Sequence, residues 1–212
     1  METRIEHITY QRSGRYCIYG NPETAKTIVF ALHGYGQLAT FFIRKFHFFD
    51  PNEYLIVCPE GPHRFYQEGT NGRVGASWMT KEDRLTDIED YIAFLDTLYT
   101  SLDASKNFQK KFLLGFSQGG ATASRWIVYG KAAFDEFILW AAVFPPDMEA
   151  DVKQNFKPSK NHLVIGNEDP YSTIEQAKIY QENLKNEGMN FEFHTFAGKH
   201  NMDQPLLLKL IK

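Results

Sequence analysis

Seven short apolar runs punctuate the chain: "RYCIYG", "TIVFALHG", "YLIVCPEG", "KKFLLGF", "FILWAAVF", "HLVIGNED" and "FEFHTFAG". They are rich in β-branched and aromatic residues and most are closed by Gly or Pro, the signature of strands bounded by turns. Several are apolar throughout, which suits a parallel sheet covered on both faces. The stretches between them change period. In "TKEDRLTDIEDYIAFLDTLYTSL" the residues Leu85, Ile88, Ile92, Leu95, Tyr99 and Leu102 recur at three-four spacing, and Thr80 with Asp83 offers an N-cap pair. "STIEQAKIYQENLKNEG" reads as a further helix, with Ser172 and Glu175 as its capping box and Gly188 as its stop. Strands alternating with helices predict an α/β fold, a mostly parallel central sheet with helices on both faces. No repeat, low-complexity tract or linker interrupts the pattern, so residues 1–212 are expected to form a single domain with no lid domain inserted.

Two long connections stand out, "PEGPHRFYQEGTNGRVGASWMT" and "PPDMEADVKQNFKPSKN". In open α/β sheets ligands bind beyond the carboxyl ends of the strands, so both are candidates to line a site. Composition adds exclusions. The net charge is −3 and no Lys/Arg cluster is denser than "KNFQKK", so a nucleic-acid partner is not expected. "METRIEHITYQ" lacks the apolar segment of a signal peptide, and the eight residues of "FILWAAVF" fall far short of the roughly 20 that span a bilayer, so a cytoplasmic protein without membrane insertion is expected. Cys17 and Cys58 read as free buried thiols. Aromatic residues make up 15% of the chain, with 18 Phe and 11 Tyr, an excess that must be packed or displayed somewhere.

The candidate chemistry centres on "LLGFSQGGATASRW". "GFSQG" satisfies G-x-S-x-G, a sharp turn between strand and helix that lifts a serine hydroxyl clear of the sheet, and here an apolar strand precedes it and small residues follow. Ser117 is therefore the candidate nucleophile. It needs a base, and the base needs an acid to hold its tautomer. Past the strand "HLVIG" lie Glu168 and Asp169, and past "FEFHTF" lies His200. The order Ser117, Asp169, His200, each after a strand, is that of α/β hydrolases. Asp147, which also follows a strand, competes for the acid role, and Glu168 does so more weakly. His7, His47, His63, His162 and His194 are assigned structural or solvated roles. An oxyanion cradle would take one backbone N–H from Gln118 and another from "ALHGYGQ", where Gly34 and Gly36 permit a tight turn and Tyr35 is the expected donor. His33 is expected to fix that loop. The run "TFFIRKFHFF", through Phe41, and Trp78 are candidates for an acyl-binding wall, with core packing the commoner fate of such residues. No H-E-x-x-H or similar ligand spacing is found, so neither metal nor cofactor is expected.

Taken together, "LHGYGQ", "PEGP", "ASWM" leading into an acidic helix, "GFSQGG", "GNEDPY" and "FAGKH" span nearly the whole chain and resemble the phospholipase/carboxylesterase family of α/β hydrolases, which includes acyl-protein thioesterases. The resemblance implies Ser117 as nucleophile, Asp169 as acid in a G-x-x-D pattern beginning at Gly166, His200 as base, and the N–H groups of Tyr35 and Gln118 as oxyanion hole. It favours Asp169 over Asp147. It also implies a cofactor-free serine hydrolase acting on short to medium acyl esters. Thioesterase, lysophospholipase or peptidase action on the same scaffold, or a non-catalytic binding role, stay open as alternatives. The chain departs from the family pattern at Tyr35, where a small aliphatic residue is common, at Gln37, where Asp is, and at Lys199, where Gly usually precedes the histidine; these departures bear on substrate. A second copy of the chain is a candidate partner through aromatics of the two long connections.

Overall fold

The structure is a computed structural model and describes residues 3–103, 108–148 and 155–212. All seven apolar runs enter one sheet. Its strands are β1 (Tyr16–Tyr19), β2 (Thr27–Leu32), β3 (Tyr54–Pro59), β6 (Lys110–Phe116), β7 (Glu136–Trp140), β8 (Lys160–Gly166) and β9 (Glu192–Phe196), in the order β1-β3-β2-β6-β7-β8-β9. Only β1 runs antiparallel among them. The unbroken apolar runs follow from burial on both sides. Phe30, Leu32, Leu113, Phe137 and Leu139 join a core under α2 (Arg84–Asp103), α3 (Gln118–Tyr129) and α4 (Ile174–Asn186). Val29, Ala31, Phe112, Leu114, Ile138 and Trp140 join the opposite core, closed by α1 (Ala39–Phe42), a 3₁₀ turn at Ile43–Phe46 and α5 (Gln204–Leu210). Among the described residues no helix is long and apolar enough to cross a membrane.

The aromatic excess goes largely into these cores. Phe30, Tyr99, Trp126 and Phe134 meet mostly edge to face, with Trp126 and Phe134 centroids 5.0 Å apart, the geometry that ring quadrupoles favour. Of "TFFIRKFHFF", Phe42, Ile43, Phe46 and Phe49 are core residues, whereas Phe41 stays exposed beneath the Arg44 guanidinium. Cys17 and Cys58 are free thiols on neighbouring strands.

Four local expectations are corrected. "FILWAAVF" leaves the sheet at Trp140, before its apolar run ends. The helix after "ASWM" starts at Arg84, and Asp83 sits just ahead of it with φ +49°, accepting from the Thr86 hydroxyl. Thr80 is not its partner but accepts from the Glu82 N–H. The capping box of α4 is shifted by one residue to Thr173 and Gln176, while Gly188 ends the helix as expected: its N–H reaches the Lys185 carbonyl and that of buried Met189 the Leu184 carbonyl. The first long connection is a hairpin, β4 (His63–Glu68) against β5 (Asn71–Ser77). Of the second, residues 149–154 lie outside the described residues, as do Met1, Glu2 and the start of "KNFQKK".

Candidate active site

The carboxyl ends of β2, β6, β8 and β9 bring together the loops that carry the predicted site. Ser117 follows β6 directly and opens α3 with φ +55° and ψ −123°, a conformation L-residues rarely hold, at a cost of about 1–3 kcal/mol. The turn is held because α3 lies hard against the sheet: a Cβ on Gly119 would sit 2.3 Å from the Leu32 carbonyl oxygen, so a larger residue would push the helix away. The Ser117 N–H donates to the Trp140 carbonyl and its own carbonyl accepts from Gly120.

His200 Nε2 lies 2.9 Å from Ser117 Oγ, and its Nδ1 lies 2.8 Å from Asp169 Oδ2. The Asp169 side chain is almost fully buried, and its second oxygen accepts from the Tyr171 N–H at 2.9 Å, so the carboxylate is fixed at both oxygens. The ring of His200 is held between Phe116 and Tyr171, with centroids 5.1 and 4.7 Å away. Its loop is laced to that of Asp169, since the Glu168 N–H donates to the Gly198 carbonyl and Asn167 Oδ1 accepts from the Gly198 N–H. Trp140 Nε1 donates to the Asn201 carbonyl from beneath. Glu168 is exposed and contributes only its backbone. Asp147 is engaged elsewhere, paired with Arg84 and with buried Arg125 at 3.0 Å.

The loop after β2 closes over Ser117. Gly34 leaves room for it, as a Cβ there would lie 3.1 Å from Ser117 Cβ, and Gly36 takes φ +73°. Gly34 N–H donates to Gln37 Oε1 and Gly36 N–H to the Ala76 carbonyl; among the described residues the Tyr35 N–H has no protein acceptor. The Gln118 N–H is the first of α3 and lies beyond reach of any intrahelical carbonyl. Buried His33 holds this loop. Its Nε2 accepts from the Gly61 N–H at 3.0 Å, so Nδ1 carries the proton donated to the Gly34 carbonyl, and burial pushes its pKa down, keeping it neutral.

Trp78 is fully buried, with Nε1 donating to the His33 carbonyl, and presents no surface to a substrate; its expected place in an acyl wall is corrected. Phe41 and Tyr35 are exposed, and Tyr35 stacks on Phe65 of the hairpin at 5.2 Å. Three contributors carried no signal in the sequence. The Gln118 side chain spans from the Trp78 N–H to the Met79 carbonyl, Gln67 donates to the Gly36 carbonyl, and Trp140 anchors the His200 loop. For the hairpin alone "EGTNGR" was a readable turn signal, with Gly69 and Gly72 both at positive φ.

Residues 16–212 match the protein-family model described as phospholipase/carboxylesterase. By sequence, no curated protein matches the chain. Among solved structures it is similar to esterase PE8, with 22% identity and TM-score 0.70 over 94% of this chain and 99% of that one. It is also similar to acyl-protein thioesterase 2 of Zea mays, with 18% identity and TM-score 0.70 over 94% and 96%. A phospholipase/carboxylesterase from Dyadobacter fermentans aligns with 18% identity and TM-score 0.66 over 95% and 97%. At these identities the likeness to solved structures speaks for the α/β-hydrolase fold.

Proposed function

We propose that this chain, which belongs to the phospholipase/carboxylesterase family, hydrolyses short to medium acyl esters through an acyl-enzyme formed on Ser117. A serine hydroxyl attacks only as its proton leaves. His200 Nε2 takes that proton as Ser117 Oγ bonds to the acyl carbonyl carbon, and Asp169 holds the Nδ1–H and stabilises the imidazolium. The carbonyl oxygen becomes an oxyanion received by the N–H groups of Tyr35 and Gln118. Collapse of the intermediate expels the alcohol, which takes the proton from His200. Water, activated by the same imidazole, then releases the acid and restores Ser117.

The observation that carries this reading is the continuous hydrogen-bonded line from Ser117 Oγ through both nitrogens of His200 to a buried carboxylate. The substrate side rests on exposed aromatic surface at the loops concerned: Tyr35 beside the oxyanion amide, Phe41 on the helix that follows, and Tyr171 against His200. Such surface takes an acyl chain without a charged partner.

The test is labelling of the purified protein by a fluorophosphonate, with the adduct located by peptide mass spectrometry, beside turnover of p-nitrophenyl esters of increasing acyl length. Labelling at Ser117, abolished in Ser117→Ala, with turnover that declines at long chains, is expected. Folded protein that neither labels nor turns over any ester would overturn the proposal and favour a binding role.

A further inference from the structure

We propose that His162, His194 and Glu192 form a binding site for a divalent transition-metal ion of the zinc class at the amino-terminal ends of β8 and β9, the opposite end of the sheet from Ser117. Register assembles it. His162 is the Cα partner of Ile138 on one side and Glu192 on the other, and His194 lies two residues beyond Glu192, opposite Val164, so all three side chains share a face. The ligand set comes from two strands, which is why no linear spacing announces it.

The geometry is that of a coordination shell. His162 Nδ1 and His194 Nε2 lie 2.9 Å apart, and Glu192 oxygens lie 3.7 Å from the first and 3.8 Å from the second. Zinc bonds of about 2.0–2.1 Å at a tetrahedral angle separate their ligand atoms by about 3.3 Å; the two imidazole nitrogens stand slightly inside that spacing and the nearest carboxylate oxygens, Oε2 to His162 and Oε1 to His194, slightly outside it, and one ligand atom from each residue can be chosen with all three within 4.8 Å of one another. The Glu192 oxygens are too far to hydrogen-bond either nitrogen but within ion-pair distance of both, so a carboxylate stands beside two imidazoles. The other nitrogen of His162, Nε2, is 3.2 Å from Glu136, which is itself anchored by Lys110 at 2.6 Å. A ligating histidine whose far N–H is held by a carboxylate is the usual outer arrangement of metal sites, because it fixes the tautomer that leaves the near nitrogen free.

Without a cation, His162 Nε2–H donates to Glu136 and His194 Nε2–H to His162 Nδ1. On binding, the His194 proton moves to Nδ1 and the ion takes its place between the two rings. His162 and His194 are largely buried but Glu192 is exposed, which gives an entry path and leaves a fourth position for water. The ion would tie β9, the edge strand that leads to His200, to β8, which leads to Asp169.

The test is titration of chelator-treated protein with Co²⁺, read by its visible d–d bands, and displacement by Zn²⁺. One equivalent with four-coordinate bands is expected, along with a melting temperature raised by Zn²⁺. Glu192→Gln, at an exposed position, should weaken Co²⁺ about 10-fold or more and diminish the thermal shift at a fixed Zn²⁺ concentration; Glu136→Gln should weaken it about 10- to 100-fold. His200→Ala should bind as wild type. Absence of bands in excess Co²⁺, undiminished affinity in Glu192→Gln, or loss of binding in His200→Ala would each overturn the proposal.

Discussion

Substituting Gly166 by alanine tests whether the His200 loop is positioned by contact with the strand beneath it. Gly166 ends β8, and a Cβ there would lie 2.3 Å from the Gly198 carbonyl oxygen and 2.4 Å from that of Lys199, whereas ordinary contact begins at 3.4 Å. Backbone must therefore retreat by about 1 Å, and the two carbonyls concerned belong to the residues just ahead of His200. The loop cannot swing aside freely, because the Glu168 N–H holds the Gly198 carbonyl itself and Trp140 Nε1 holds the Asn201 carbonyl beyond it. Misplacement of a catalytic group by about 1 Å costs on the order of 10²-fold in rate. We expect Gly166→Ala to fold, to lose about 1–3 kcal/mol of stability as an overpacked site, and to lose about 100-fold in kcat on p-nitrophenyl butyrate with little change in KM. Gly188→Ala is the control: it sits at φ +83° with open space around it, so it should cost stability through backbone strain and leave kcat alone. A folded Gly166→Ala variant with wild-type kcat and wild-type labelling rate would refute the reasoning.

Asp169→Asn should cost about 10⁴ in kcat by stabilising the wrong histidine tautomer, whereas Asp147→Asn should disturb only its arginine pairs and leave turnover near wild type; the reverse ranking, measured on one ester, would reassign the acid. Folding stability should fall on the acid side of neutrality. The pKa values of His33, His162 and His194 are all lowered in the fold, burial being the largest cause, so below about pH 6.5 the unfolded chain binds protons that the folded state refuses. The stability they contribute is complete above that value and is lost as pH falls toward their folded values, by up to about 1.4 kcal/mol per pH unit for each group. Urea unfolding of metal-free protein across this range should show a shallower slope in His194→Gln, and an unchanged slope would count against the assignment.

The sheet was legible because burial on both faces removes the polar alternation, leaving runs whose length and closing residues suffice to identify strands. The hairpin β4–β5 escaped for the opposite reason. Most of its side chains face solvent, so no stripe marks it, and it is stabilised by partners far along the chain, such as the Gln37–Ala76 bridge and the bond from Gln67 to Gly36. Trp78 was misplaced because an aromatic beside a loop reads the same whether it faces a cleft or fills the space beneath one. Its indole N–H, directed at the His33 carbonyl, decides the matter, and no sequence pattern encodes that contact.

Ser117, Asp169 and His200 could be found in sequence because each follows a strand and the sheet delivers strand ends to one side. What fixes their relative geometry is different in kind. Ser117 is strained, and that conformation survives only because Gly119 lets α3 touch the carbonyl of Leu32; His200 is aimed only because Gly166 lets its loop touch β8. Asp169 is oriented by a backbone N–H two residues on, and His200 by a tryptophan on a strand it does not follow. The residues proposed to react are thus specified by type, and their alignment by absent side chains and backbone groups, which leave little trace in one sequence. Perturbing the second set should lower turnover while the side chains of Ser117, Asp169 and His200 remain intact, and for that reason Gly166→Ala probes this architecture more sharply than removal of Ser117 itself.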